Sequence, residues 1–208
     1  MKVTYHSVHG AIQESKHVFI QAGLLDSGIF DYTGVHSVLE IGLGTGLNAL
    51  LSLLEADKHK NRLYYTALDL YPLNETEIKQ LNYCEQLKQP HYKALFEKMH
   101  QSGWEEMFEV TDHFRLTKTK CDLLDYSTKD LFNIIYFDAF APAAQPELWT
   151  AAIFEKLYRM MKPGGVLVTY CSKSVVRRAM QAAGFTVEKM QGPRGKREML
   201  RARKVNCE

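Results

Sequence analysis

Apolar residues recur along the chain in short continuous runs separated by stretches of helical period. Val35–Ile41 reads as a first buried strand, and Thr45–Asp57 as a helix with Leu47, Leu50, Leu51 and Leu54 on one face. Leu63–Asp69, Phe114–Cys121 and Phe132–Asp138 read as further strands, the last as apolar as a central parallel strand should be. Pro146–Met161 is predicted helical, stopped by Pro163-Gly164-Gly165. Strands at Val166–Tyr170, Thr186–Gln191 and Glu198–Ala202 follow, with a helix from Ser174 to Ala183 inside that series. Strand–helix alternation implies an α/β fold with a mostly parallel sheet and helices on both faces. The pair split by Gly192-Pro193-Arg194-Gly195 is expected to form an antiparallel C-terminal hairpin. Gly10 lies between two strand-like stretches, Thr4–His9 and Ala11–Ile20, which predict a small N-terminal β-hairpin. Residues 90–113 read as a helical insertion and residues 1–34 as an N-terminal extension of one domain over 1–208.

The length of 208 residues fits that single domain. With 46% hydrophobic and 24% charged residues, usage is that of an ordinary globular protein. No apolar run approaches the ~20 residues of a membrane span, and the first residues lack a signal-peptide pattern, so the expected location is cytoplasmic with no membrane partner. Cys84, Cys121, Cys171 and Cys207 are scattered, and His6 and His9 have no further ligand at metal spacing, so free thiols and no metal are expected. Net charge is only +2, but it is unevenly placed. Between Tyr170 and Lys204 ten lysines and arginines face two glutamates, a local +8. The remainder has 16 basic and 22 acidic residues, or −6. A basic end on an acidic body points to a docked polyanion.

Two segments carry candidate chemistry. Glu40-Ile41-Gly42-Leu43-Gly44-Thr45-Gly46 ends a strand and opens a helix, and its glycines permit sharp turning and close ligand approach. A dinucleotide fingerprint would need glycine at position 47, which is Leu47. The second segment is Asp138-Ala139-Phe140-Ala141-Pro142, running on to Trp149. In open α/β sheets ligands bind beyond the carboxyl ends of strands. A carboxylate and an aromatic in a proline-stiffened loop there form a wall for a flat base.

The E-x-G-x-G-x-G loop resembles the first motif of class I methyltransferases, whose fold is Rossmann-like and whose cofactor is S-adenosylmethionine. That resemblance implies that Glu40, Gly42, Gly44, Thr45, Gly46 and Asn48 hold the cofactor's methionine and ribose end. It also implies that Asp69 accepts the ribose hydroxyls and that Asp122 sits beside the adenine. Over nearly the whole chain the sequence resembles the methyltransferase domain of the MnmC family, which completes 5-methylaminomethyl-2-thiouridine in tRNA. The blocks are Gly10, Glu14, Val18 and Phe19; Glu40–Asn48; Asp69–Leu73; Asp138–Trp149; Pro163–Gly165; Val176–Arg178; Ala183–Phe185; and Lys196–Leu200. The family motif usually has Gly where Ala139 stands and Lys-Asn where Ala144-Gln145 stand.

The resemblance implies methyl transfer to the primary amine of 5-aminomethyl-uridine at the tRNA wobble position. Asp138 would be the catalytic carboxylate, and Glu14, Phe140, Pro142 and Glu198 would stand on the substrate side. Lys196, Arg197, Arg177 and Arg178 would meet the phosphates of the anticodon loop at the basic end. The family's large member carries a flavin oxidase domain, whereas this sequence ends at Glu208. A stand-alone methyltransferase without flavin, supplied with its aminomethyl substrate by separate enzymes, is therefore expected. Two other readings stay open. One is a small-molecule amine transferase of the same fold, methylating or aminopropylating like spermidine synthase; the other is a non-catalytic module that binds cofactor and RNA.

Overall fold

A computed structural model describes residues 8–205. Eight strands form one sheet: β1 (Val35–Ile41), β2 (Arg62–Leu68), β3 (Met107–Thr111), β4 (Phe114–Thr119), β5 (Phe132–Phe137), β6 (Met161–Thr169), β7 (Thr186–Gln191) and β8 (Glu198–Arg203). Their spatial order is β3-β4-β2-β1-β5-β6-β8-β7. The five central strands are parallel, whereas β3 pairs antiparallel with β4, and β8 pairs antiparallel with both β6 and β7. The expected doubly covered parallel sheet and antiparallel C-terminal pair are present. Their order follows from burial. Met199, Leu200 and Ala202 of β8 are all buried and take an interior place, while the largely exposed β7 takes the edge.

Side-chain alternation in the central strands divides the core into two layers. Val38, Ile134 and Tyr136 face α1 (Val8–Ser15) and α2 (Leu47–His59), while Leu39, Ile135 and Phe137 face the other way. That second layer packs residues of α6 (Ala151–Arg159) and α7 (Ser174–Ala182). Glu40 shares the face of Val38, buried in the first layer beneath α2.

Three expectations are corrected. The N-terminal hairpin does not form in the described residues: Ala11–Ile20 is helical, spanning α1 and a π-helical segment, Lys16–Leu25. The strand-like Thr4–His9 lies outside the described residues up to Ser7 and is helical from Val8. Burial at Ile12, Ser15, Val18, Phe19 and Ala22 follows a three-to-four residue spacing, the helical period. Gly23 lets this segment press on the sheet, because an added Cβ there would lie 2.8 Å from Val168 and 3.1 Å from Tyr136. Second, the stretch 90–113 is only partly helical. After α3 (Glu75–Lys79) and α4 (Tyr83–Gln86), it holds α5 (Lys93–Gln101), but Met107–Thr111 adds β3 to the sheet edge. Third, the helix expected from Pro146 is divided. Pro146–Trp149 is a 3₁₀ turn, and Thr150 caps α6 by accepting from the Ile153 amide at 3.4 Å.

Candidate active site

Register puts the functional positions at one level. Ile41 pairs with Leu68 on one side and Phe137 on the other, so Gly42, Asp69 and Asp138 all begin at the same edge. Gly42, Gly44 and Gly46 have φ of 91°, 51° and 71°, the left-handed region that glycine tolerates. A Cβ on Gly42 would lie 2.9 Å from the Asp138 carbonyl oxygen, so the loop passes directly over the next strand end. Gly44 faces open space, and its amide donates to Asp69 Oδ2 at 2.7 Å. Asp69 Oδ1 accepts from the Tyr71 amide at 2.8 Å. Asp122, three residues past β4, accepts from the Leu124 amide at 2.8 Å. In this structure Asp69 thus ties the glycine loop to its own loop, and Asp122 fastens its own.

Asn48, in the first turn of α2, joins the two other carboxylates. Its Nδ2 donates to Glu40 Oε1 at 2.8 Å and to Asp138 Oδ2 at 3.1 Å. Glu40 Oε2, Asn48 Oδ1 and the Tyr65 hydroxyl are buried without a well-formed hydrogen bond among the described residues, and the Tyr65 hydroxyl lies close enough to Glu40 to stabilise its carboxylate. Burial, and then the Asp138 charge, push the Glu40 carboxyl well above the usual range. Burial pushes Asp138 up to about 7, against the Asn48 hydrogen bond; Glu14 pushes it the same way and Lys196 opposes. Asp138 nevertheless keeps part of its surface accessible.

The insertion braces the glycine loop from the other side. Tyr83 donates its hydroxyl to Thr45 Oγ1 at 3.0 Å, and His100 Nε2 lies 3.2 Å from the Thr45 carbonyl oxygen. Burial drives His100 down to about 4 and keeps it neutral; because the Thr45 carbonyl can only accept, Nε2 carries the hydrogen and donates. Lys118, 1% exposed, donates to the His100 carbonyl at 2.6 Å and lies 5.0 Å from the Trp104 ring centre. Sequence reasoning missed this chain. Its signal was alternation: Phe114, Leu116 and Lys118 share the buried face of β4.

The loop after β5 is tied by side chains. Gln145 Oε1 accepts from the Phe140 amide at 3.1 Å, and Trp149 Nε1 donates to the Phe140 carbonyl at 2.9 Å. Gln145, one departure from the family pattern, thereby holds the loop. Phe140 is left 46% exposed and Pro142 partly so. Tyr170, at the end of β6, donates its hydroxyl to the Ala139 carbonyl at 2.8 Å. Lys196 sits over Tyr170, its ammonium paired with Glu14 and 4.6 Å from the Tyr170 ring centre.

The remaining basic residues divide. Arg178 and Arg197 are exposed, whereas Arg177 is partly buried with Nε unpartnered among the described residues. Glu198 pairs with Lys189 at 2.7 Å. Arg201 is held by Glu188 and Asp26, and Lys204 donates to the carbonyls of Tyr158 and Met161. Part of the basic end is therefore committed to the body. Among the described residues no helix is long and apolar enough to cross a membrane.

A family model described as S-adenosyl-L-methionine-dependent methyltransferase matches residues 82–205. The protein from Ectopseudomonas mendocina named tRNA 5-methylaminomethyl-2-thiouridine biosynthesis bifunctional protein MnmC is 30% identical over 94% of this chain, which covers 31% of that relative. The protein of that name from Leptospira interrogans is also 30% identical, with 32% of its length covered. The chain thus spans about a third of the length of these relatives. Among solved structures, MNMC2 from Aquifex aeolicus superposes with a TM-score of 0.76 at 22% identity, over 98% of this chain and 66% of the other. The N-methyltransferase NodS from Bradyrhizobium japonicum gives 0.54 at 19% identity, over 95% and 98%. Both show a shared fold.

Proposed function

The chain belongs to the S-adenosyl-L-methionine-dependent methyltransferases, and on that premise we propose that it methylates a tRNA wobble base. The acceptor is the primary amine of 5-aminomethyl-uridine, with or without 2-thiolation, and the product is 5-methylaminomethyl-uridine. The observation that carries this reading is Asp138: a partly accessible carboxyl near neutrality, bonded to the glycine-loop side through Asn48 and facing an ammonium held on Glu14. The names of the relatives support the substrate.

The residues at the loop fit the cofactor. Asn48 Oδ1, buried without a partner, and the Glu40 carboxyl, whose neighbouring donor is the Tyr65 hydroxyl, complement the amino group of a methionine moiety, and Gly44 leaves open space above the backbone. Asp69 and Asp122 are the ribose and adenine partners in this reading. S-adenosylmethionine supplies an electrophilic methyl on a sulfonium, whose sulfur keeps the bonding electrons as a thioether leaves.

An alkylammonium has a pKa of ~10, so only one in ~1000 is a free amine at neutral pH, a cost of roughly 4 kcal/mol. Asp138, pushed up to about 7, is a proton acceptor matched to that pH. Its oxygen orients the ammonium and takes the proton that must leave before the nitrogen lone pair is free to attack; the product is a secondary ammonium. Placing the lone pair in line contributes further, as in any bimolecular displacement. Phe140 and Pro142 wall the base, with Trp149 tying their loop. Glu198 borders this side, and Lys196, Arg197, Arg177 and Arg178 position the anticodon-loop phosphates. The setting is the cytoplasm, with separate enzymes supplying the aminomethyl group.

The test is methyl incorporation into tRNA bearing 5-aminomethyl-uridine, with wild type beside Asp138→Asn. Turnover in the variant falls ~10²-fold or more, with cofactor affinity held within about 3-fold. No transfer by the wild type, or full activity in the variant, overturns the reading. Transfer to free polyamine and not to tRNA replaces it with a small-molecule amine transferase.

A further inference from the structure

We propose that Glu14 and the face of Tyr170 form the seat for the acceptor's alkylammonium, and that Lys196 occupies this seat as an internal placeholder which the substrate displaces. The proposal rests on the reading that the acceptor is an amine, and it adds where that amine docks before transfer.

The seat is built from two elements far apart in sequence. Glu14 is the second-last residue of α1, and Tyr170 directly follows β6. The Tyr170 hydroxyl is spent on the Ala139 carbonyl, which fixes its ring beside the residue following Asp138. A carboxylate and an aromatic face together recognise a primary ammonium. They do not distinguish a lysine ε-CH₂–NH₃⁺ from the CH₂–NH₃⁺ of an aminomethyl-uridine. Lys196 and Glu14 both act on the charge of Asp138, so the seat adjoins the proton acceptor.

Lys196 is placed to leave. Its side chain is 37% exposed and that of Glu14 26%, so the pair meets solvent. It sits on the β7–β8 loop, where Lys196 N donates to the Pro193 carbonyl and Gly192 N to the Arg197 carbonyl; these contacts involve backbone alone and survive a swing of the side chain. A cleft of about 550 Å³, lined by Gln13, His17, Arg194 and Lys196 among others, opens beside it. Replacing one ammonium by another conserves the charge next to Asp138, and the freed Lys196 becomes available to a phosphate of the same RNA.

The test separates amine binding from phosphate binding by using the nucleoside, which has no phosphate. Wild type, Lys196→Met, Lys196→Gln and Glu14→Gln, each saturated with S-adenosylhomocysteine, are titrated calorimetrically with 5-aminomethyl-uridine and with 5-methyluridine. Both Lys196 variants are expected to bind the amine nucleoside about 10-fold tighter than wild type, the scale of an exposed ion pair with a cation–π contact. Glu14→Gln loses the preference for the amine over 5-methyluridine. Lys196 variants that bind no tighter, or a Glu14→Gln that keeps the preference, overturn the proposal. n-Butylammonium is the second probe. If wild type methylates no aminomethylated tRNA, yet butylammonium gains affinity on loss of Lys196 and loses it with Glu14→Gln, the tRNA reading fails and the ammonium seat stands. If butylammonium gains nothing, the seat fails whatever the activity.

Discussion

Lys118 and Lys196 each hold an ammonium about 5 Å from an aromatic ring, over Trp104 at 5.0 Å and over Tyr170 at 4.6 Å. Their surroundings differ. Lys118 is 1% exposed and bonded to a backbone carbonyl, whereas Lys196 reaches solvent and is bonded to a carboxylate. The proposed cofactor side is fastened around the backbone: glycines over strand ends, an amide on Asp69, and Lys118 and His100 bracing Thr45 from behind. The proposed acceptor side is lined by the partly exposed Glu14–Lys196 pair. The same contact type thus serves as a permanent brace when buried and as an exchangeable one when wet, because only burial makes an unpaired group costly.

Lys118→Met tests the brace. It leaves the His100 carbonyl without its donor, a loss of about 1–3 kcal/mol. The melting temperature should fall by several degrees, at roughly 2–4 °C per kcal/mol for a chain of this size. Cofactor affinity should fall with it, by about 10-fold for a change of about 1.4 kcal/mol in the loop, as His100 loosens from Thr45. Lys196→Met should leave both quantities near wild type. Equal destabilisation by the two substitutions, seen by thermal melting and cofactor titration, would erase the distinction.

Asp138 and Lys118 should also tilt stability oppositely with pH. Asp138 titrates near 7 when folded against an ordinary 3.8, so between those values the folded chain holds a proton the unfolded chain has released. Its contribution to stability is therefore full at low pH and lost as pH rises through 7. Glu40, pushed the same way, adds to that slope. Lys118 titrates near 8 when folded against an ordinary 10.5, so the unfolded chain holds the extra proton and stability rises over that range. Melting curves from pH 4 to 10 should show Asp138→Asn gaining on wild type up to pH 7, and Lys118→Met losing the alkaline rise. A parallel offset at every pH in either variant would contradict the shift assigned to that residue.

Much of the cofactor half was legible in the sequence because it is local. Buried strands β1 and β5 are apolar on both faces, and the glycines directly follow the first of them. Lys118 was readable only by asking why a lysine shares a face with Phe114 and Leu116. The acceptor half is long-range: Glu14 and Lys196 are 182 positions apart, so no spacing joins them. The family resemblance placed both on the substrate side without pairing them. The N-terminal hairpin was expected because Val18, Phe19 and Ile20 favour strands and Gly10 favours a turn, yet the buried positions keep helical period, and packing overrides such local preference. β3 was hidden because its partner follows after only Asp112 and His113, and its outer face is exposed.

The smallest effects concern the outer rim. Arg178 and Arg197 are exposed, while Arg201 is bound to Glu188 and Asp26 and only 13% exposed in its side chain. Composition alone treats these arginines alike. In the proposed complex Arg197→Ala weakens tRNA binding by a few-fold and lowers the slope of log affinity against log salt by about 1, the share of a single phosphate contact. Arg201→Ala leaves the slope unchanged, and its effect goes to thermal stability. Filter binding of tRNA across a salt series measures both. An unchanged slope for Arg197→Ala together with a flattened one for Arg201→Ala would move the RNA to the opposite side of the β7–β8 pair, away from the Glu14–Lys196 seat.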